Sequence, residues 1–169
     1  MKTHESLPTP AAPVIDAPLL SPEEDAAWGA YQQMRVRLAE RLNRELATAT
    51  GLSEADFEIL AFLAERPHTP MRAIALRCGL HWEKSRLSHQ LRRMEERGLI
   101  QRLACPTDHR SFEVAITAVG REKARAAKVV HAELVARHVF SALDAEQVAA
   151  FHAIADAILG TLVDDSAHR

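Results

Sequence analysis

Aromatic side chains are scarce in this sequence. Two Trp, one Tyr and five Phe make up 5% of 169 residues, while hydrophobic residues reach 47%, with Ala and Leu abundant. That balance favours a mostly helical protein. Cysteine is nearly absent. Cys78 and Cys105 lie far apart and form no CxxC, which argues against a disulfide framework or a structural zinc site. No apolar run approaches the roughly 18 residues of a membrane span. The N-terminus lacks a basic start followed by an apolar core, so no signal peptide is expected and a cytoplasmic protein is the default. A Gly-rich cofactor loop and a βαβ pattern are also missing, so neither an enzyme nor a bound cofactor is expected.

A net charge of −2 speaks against a nucleic-acid partner only as an average. Residues 66–125 hold 13 Lys and Arg against 6 Asp and Glu, a charge of +7. The remainder holds 8 against 17, a charge of −9. A basic segment between acidic ones is an electrostatic footprint that the whole-chain value conceals; the competing reading is a chance cluster on a solvated helix.

The length suits one domain, or one domain with added dimerisation helices. Residues 1–20 contain Pro8, Pro10, Pro13 and Pro18 with little apolar periodicity and read as a flexible tail. SPEED at 21–25 starts a helix, with Ser21 as N-cap, Pro22 at the first position and Glu24 at the third. Trp28, Tyr31, Leu38, Leu42 and Leu46 follow at helical spacing, to about Thr48 with a stop near Gly51. A second helix starts at Ser53, with Asp56 at the capping-box position. Phe57, Leu60 and Leu63 or Ala64 face inward, and Pro67 ends it. TPMRAIALRCG reads as a short helix with Thr69 as N-cap and Gly79 as the stop.

The stretch HWEKSRLSHQLRRMEERGLIQR, residues 81–102, is a helix from about Trp82 to Arg97, a turn at Gly98 and the start of a strand. Leu87, Leu91 and Met94 share one face and should be buried. The opposite face carries Ser85, His89, Arg92 and, nearby, Arg93, with Arg86 on the flank. An ordinary surface helix would alternate Glu and Lys there. LIQRLA (99–104) and FEVAIT (112–117) are β-like, and CPTDHRS between them makes a seven-residue hairpin loop. Thr117 caps a long helix over about 118–140. Asp144, with Gln147 at the third position, caps another whose stripe is Val148, Phe151, Ile154 or Ala155, Ile158 and Leu162.

This order is a winged helix-turn-helix, mostly α with a small β-hairpin wing. The boundaries are a tail at 1–20, an N-terminal dimerisation helix at 21–50, the winged domain at 51–120, C-terminal dimerisation helices at 121–163 and a tail at 164–169. An arginine on such a helix can bond guanine O6 and N7 in a major groove, and Ser or His can reach bases or phosphates. Arg110 in the wing suits a narrow minor groove. Lys84 and Ser85 lie near the helix N-terminus, where backbone N–H groups favour phosphate. Arg92, Arg93 and Arg97 either contact phosphate or pair with Glu95 and Glu96, Arg92 being the better phosphate candidate by its phase. Trp82 is expected to pack the turn rather than touch DNA. The long helices carry apolar faces beside a core that already closes on itself, so a two-fold partner is expected to bury them; an intramolecular bundle is the competing reading.

The sequence resembles the multiple antibiotic resistance regulator (MarR) family over about residues 21–163. The likeness rests on LSEADFEILAFL, MRAIALRCGLHWEKSRLSHQLRRMEERGLIQR, the wing tip TDHR and ITAVGREK, including the D-x-R of Asp108 and Arg110 and the T-x-x-G of Thr117 and Gly120. The resemblance implies a homodimer that presents two winged domains to successive major grooves of double-stranded DNA. It also implies transcriptional control, most often repression relieved by a small molecule. By that resemblance Ser85, Arg86, Ser88 and His89 match the base-facing part of the recognition helix, Arg110 the wing arginine, and Asp108 the acid that holds it. The wing departs from the commoner Asp-Pro-x-Asp-x-Arg pattern and brings a cysteine.

The resemblance further implies that small phenolic or aromatic acids bind between the dimerisation helices and the winged domain. Trp28, Tyr31 and Met34 are the lining candidates and Arg35 or His81 the anion partner, although core packing is the stronger reading for each. Cys105, near His109 and Arg110, is a candidate oxidant-sensing thiol. Peroxide-sensing members of the family, however, carry their cysteine in the first helix, where this sequence has none. Cys78 is expected to be a small core residue. His131 and His138, with His152 or Glu133, lack a metal-binding spacing. Two other classes stand beside the regulator. One is the winged region that opens some methyltransferases, for which the chain has no catalytic domain. The other is a winged protein-interaction module, against which the +7 segment and Arg110 speak.

Overall fold

The computed structural model describes residues 19–104 and 112–162. Its elements are α1 (Pro22–Thr50), α2 (Glu54–Ala64), β1 (Met71–Arg72), α3 (Ala73–Gly79), α4 (Lys84–Glu96), β2 (Ile100–Ala104), β3 (Phe112–Ile116), α5 (Ala118–His138), a 3₁₀ turn (Phe140–Ala142) and α6 (Ala145–Leu162). The chain divides into two units, Met1–Arg37 and Leu38–Arg169, with the boundary inside α1. Among the described residues no helix is long and apolar enough to cross a membrane.

Local chemistry accounts for most of the helix ends. Ser21 and Glu24 exchange reciprocal bonds at 2.8 and 3.2 Å, satisfying two donors that the first turn of α1 leaves open. Asp144 and Gln147 do the same for α6 at 3.0 and 2.8 Å. Gly51 ends α1 at φ +71° and Gly98 follows α4 at φ +68°, a left-handed region that costs glycine nothing. Thr117 accepts from the Gly120 amide at 2.9 Å and donates to Gly98 O at 2.8 Å, so one hydroxyl caps α5 and ties it to the turn after α4. A Cβ on Gly120 would lie 2.1 Å from the Leu99 carbonyl oxygen, which explains the glycine of T-x-x-G.

The short helix differs from its sequence reading. Thr69 and Pro70 do not open it; α3 begins at Ala73, and Arg72 at its N-cap makes no side-chain cap bond. Met71 and Arg72 instead pair with Val114 and Glu113 as a third strand. Neighbouring strand edges outweighed the local cap signal here. The sheet is antiparallel with order β1-β3-β2. The helix does end at Gly79, and the chain then turns through His81 at φ +52°. Gly79 serves packing, because a Cβ there would meet the Phe62 ring at 2.2 Å.

The core gathers Leu42 and Leu46 of α1, Ile59, Leu60 and Leu63 of α2, Leu76 of α3, Leu87, Leu91 and Met94 of α4, Val114 of β3 and Leu134 of α5. Leu87, Leu91 and Met94 are buried as their spacing predicts. On α2, Leu60 and Leu63 are buried as expected and Ile59 joins them, while Phe57 is half-buried and Ala64 exposed. Cys78, expected in the core, is exposed, because Leu76 is the residue that α3 turns inward. No residue of α6 is buried, and Phe151, Ile154 and Ile158 are 47%, 60% and 56% exposed. Within this chain the intramolecular bundle is therefore not formed by α6.

Among the described residues two polar ones are buried, Asp56 and Gln90, and they bond each other. The Asp56 side chain is 2% exposed and completes the α2 capping box with Ser53. Oδ2 accepts from the Ser53 amide at 2.9 Å and from Arg97 Nη1 at 2.7 Å, and Oδ1 accepts from Gln90 Nε2 at 2.7 Å. Arg97 Nη2 donates to Gly51 O at 2.6 Å. Arg97 thus pairs across the fold, not with Glu95 or Glu96 on its own helix, and it is not left for phosphate. Burial by itself pushes the Asp56 carboxyl up, but the Arg97 bond, the Ser53 bonds and the Arg97 charge outweigh it and hold the group below the usual carboxylate range.

A carboxyl depressed on folding contributes stability that is present above its unfolded value and lost as pH falls through its folded value. Asp56→Asn is expected to cost about 1.5–3 kcal/mol at neutral pH, the scale of hydrogen bonds to a charged group. In urea titrations the gap between wild type and variant should narrow below about pH 4, where an unfolded carboxyl protonates. A gap that stays constant from pH 7 to 3 would contradict this account.

Candidate nucleic-acid interface

The amphipathic pattern of α4 dictates what it offers to solvent. With Leu87, Gln90, Leu91 and Met94 turned inward, Lys84, Ser85, Arg86, Ser88, His89, Arg92 and Arg93 are exposed. The structure therefore gathers the predicted helix residues on one surface. It carries four cations, two hydroxyls and an imidazole. Arg92 approaches Glu96 at 3.8 Å, but both side chains are more than 60% exposed, so water screens the pair and leaves the guanidinium available.

Arg86 is the most constrained of these cations. Its guanidinium lies 3.8 Å over the Trp82 ring, and Trp82 is 8% exposed. The indole packs the turn before α4, as expected, and also presents a flat face on which Arg86 rests. Stacking leaves the in-plane N–H donors at the guanidinium edge free and reduces the rotamer freedom lost on binding. The neighbouring Glu54 carboxyl is raised above its usual value by burial and by the Glu58 charge, with His131 and Arg86 opposing.

The wing begins from a rigid base. Ala104 pairs with Phe112, so the hairpin leaves and re-enters the sheet at one place. Arg102 of β2 pairs with Glu95 at 3.2 Å, its amide donates to the same carboxylate at 3.0 Å, and its guanidinium lies 5.2 Å from the Phe112 ring. Glu95 thus joins α4 to the wing strand. Sequence reading weighed Glu95 only as one possible partner of same-helix arginines and missed this role, because the partner sits seven residues on, beyond the Gly98 turn. Asp108 and Arg110, with Cys105 and His109, lie outside the described residues.

The ligand candidates separate. Trp28, Tyr31, Met34 and Arg35 belong to the first unit, His81 to the second, and all five are exposed. Trp28 stacks on Tyr31 at 5.3 Å and Arg35 Nε donates to Gln32 at 3.0 Å. A groove of about 380 Å³ opens elsewhere, between α2 and α5. Phe57, Ala61 and Ala124 contribute apolar surface, and Arg121, Arg125 and Lys128 stand with Glu65 around it. None of the five candidates lines it.

The histidines have separate partners. His131 stacks on Phe57 at 4.8 Å, His138 bonds Glu45 at 3.2 Å and His152 pairs with Asp156 at 2.9 Å. The His138 bond, aided by Arg41, holds the Glu45 carboxyl below its usual range despite some burial. Among the described residues no group of His, Cys, Asp and Glu is arranged to hold a metal ion.

Comparison with known proteins assigns the fold to a family. The MarR family model matches residues 50–111. No curated protein matches the sequence. AbsC, a MarR family transcriptional regulator from Streptomyces coelicolor, is 30% identical, and the alignment covers 86% of this chain and 98% of that one with a TM-score of 0.77. Sco3205, a MarR family transcriptional regulator from the same organism solved in complex with DNA, is 28% identical over 92% and 97% of the two chains, with a TM-score of 0.81. MepR of S. aureus, also solved with DNA, shares the fold at 16% identity, 79% and 96% coverage and a TM-score of 0.70. The chain belongs to the MarR family of transcriptional regulators.

Proposed function

We propose that the protein is a homodimeric, sequence-specific regulator of double-stranded DNA in the cytoplasm, a repressor of pseudo-palindromic operators relieved by a small aromatic or phenolic acid. The observation that carries the reading is the outer face of α4, where Lys84, Ser85, Arg86, Ser88, His89 and Arg92 form one exposed cationic and hydrogen-bonding surface on a helix anchored by its opposite face. The likeness to Sco3205, solved with DNA, supports it.

In this reading α4 lies in a major groove. Arg86, already held over the Trp82 ring, bonds guanine O6 and N7, while Ser85, Ser88 and His89 reach neighbouring bases or phosphates. Lys84 and Arg92 contact the backbone and set register without reading sequence. By the resemblance, Arg110 of the wing is the residue that would enter the flanking minor groove and Asp108 its acidic neighbour in the motif. Selection of bound fragments from genomic DNA should return a two-fold-symmetric site with half-sites about one helical turn apart. Arg86→Ala should cost about 1–3 kcal/mol on that site and relax preference at one position, and Arg92→Ala should lower the salt slope by about one. Equal affinity of wild type and Arg86→Ala for every duplex would refute groove reading by this helix.

The dimer rests on the uncovered apolar face of α6, where Phe151, Ile154 and Ile158 are about half exposed or more, and on Trp28, Tyr31 and Met34 of α1. Residues of this kind in contiguous stripes mark association surfaces. Sedimentation of the full chain should give a dimer, and Phe151→Glu with Ile158→Glu should give a monomer that retains helical content. A wild-type monomer at micromolar concentration would overturn this assignment.

Ligand relief is favoured by the α2–α5 groove, where apolar walls beside three cations suit an amphipathic acid better than a neutral or cationic compound. Arg125 and Lys128 have no ion-pair partner among the described residues. Titrating the DNA complex with aromatic carboxylates such as salicylate should release DNA, and Arg125→Ala with Lys128→Ala should blunt release without weakening DNA binding. Identical release curves for wild type and variant would place the ligand elsewhere.

A further inference from the structure

We propose that Asp56, Arg97 and Gln90 form a positioning clamp for sequence reading: the buried carboxylate sets the rotation and axial position of α4, so discrimination between duplexes depends on three residues that do not line the DNA-facing surface. The inference rests on the proposed DNA-reading role of α4.

The bonding pattern exceeds what folding α2 requires. The capping box uses Oδ2, through the Ser53 amide. Oδ1 serves Gln90. Gln90 lies between the base-facing His89 and the core residue Leu91, one turn after Arg86, and its side chain is turned away from the outer face. Arg97 is the C-cap of the same helix. The two tethers are seven residues apart, about 10 Å along the axis, and converge on one carboxylate. Leu87, Leu91 and Met94 resist withdrawal of the helix from the core, but apolar contact is non-directional and tolerates small rotations. Two directional bonds at separate heights do not, because each weakens steeply off its angle. A bidentate arginine–guanine contact needs that degree of control.

The clamp also reaches the end of α1. Arg97 Nη2 bonds Gly51 O, and Lys123 of α5 bonds Thr50 O at 3.3 Å from another side. The α1–α2 junction is therefore held by the helix that reads DNA and by α5. Two further bonds, Glu54 amide to Asn43 at 2.9 Å and Leu52 amide to Thr50 at 3.1 Å, stiffen the same junction.

The test compares full-length wild type, Asp56→Asn, Arg97→Lys, Gln90→Met and Arg86→Ala on the selected operator and on a scrambled duplex of equal length, with active fraction titrated for each. Arg97→Lys keeps the charge but loses the planar fork that spans Asp56 and Gly51 O. The clamp variants should lower the operator-to-scrambled ratio by about 2- to 30-fold, the range seen for residues that couple without contact. Their salt slope should match wild type, since no phosphate contact is removed. A double variant of Asp56→Asn and Arg97→Lys should lose no more than the worse single one, because the pair acts as a unit. A purely structural role would reduce active fraction and leave the ratio unchanged; that result in the folded variants overturns the clamp. Gln90→Met leaves the ion pair and capping box in place, so it decides the matter if the charged variants fail to fold. Unchanged ratios in the clamp variants beside a reduced one in Arg86→Ala would sink the clamp alone, whereas a wild type that discriminates no duplex would remove the DNA-reading role together with it.

Discussion

A carboxylate shut away from water must have its charge answered inside the protein, and the winged domain is arranged around that requirement at Asp56. Desolvation opposes ionisation there, but the Arg97 bond, the Ser53 bonds and the Arg97 charge outweigh it, and Gln90 donates to the other carboxylate oxygen. Each donor comes from a different position in the chain: the α2 cap, the middle of α4 and the C-cap of α4. Satisfying one buried anion therefore brings the end of α1, the start of α2 and the middle and C-cap of α4 into one arrangement. The apolar core supplies cohesion, and the polar node supplies register.

A second tie completes the frame. Glu95 bonds the Arg102 amide and pairs with its guanidinium, linking α4 to β2. Thr117 then links the turn after α4 to α5. Held by Asp56 on one side and the wing strand on the other, α4 leaves its outer face exposed, with Arg86 resting over Trp82 and Arg92 only loosely paired with Glu96. Lys84, Arg86, His89 and Arg93 are exposed together because the acids of the same helix are spent on structure or lie at its far end.

The long helices follow a different logic. α5 buries Ala124, Ala127 and Leu134 against the winged domain, while α6 buries nothing within the chain. Apolar periodicity was visible in both, but periodicity gives the face and not the partner. The same limit explains the α1 stripe: Leu42 and Leu46 reach the core, and Trp28, Tyr31 and Met34 do not. It explains the groove as well, whose walls come from α2 and α5, so that no single segment carries its signature.

Helix ends and strand limits were legible in the residues themselves. Ser21 with Glu24, Ser53 with Asp56, Asp144 with Gln147 and Thr117 with Gly120 act over three residues, and the inner face of α4 follows from a 100° period. Such interactions close within one turn and need no knowledge of the rest of the chain. Tertiary structure decided what lay further apart. Asp56 meets Gln90 and Arg97 across 34 and 41 positions, and Arg97 accordingly leaves its helical neighbours for a buried charge that has no water to answer it. Met71 and Arg72 became a strand because β3 offered an open edge, and Cys78 came to the surface because Leu76 took the inward phase of α3. Local hydrogen bonding and periodicity determined the elements and the outer face of α4; long-range satisfaction of buried polar groups decided how that face is held.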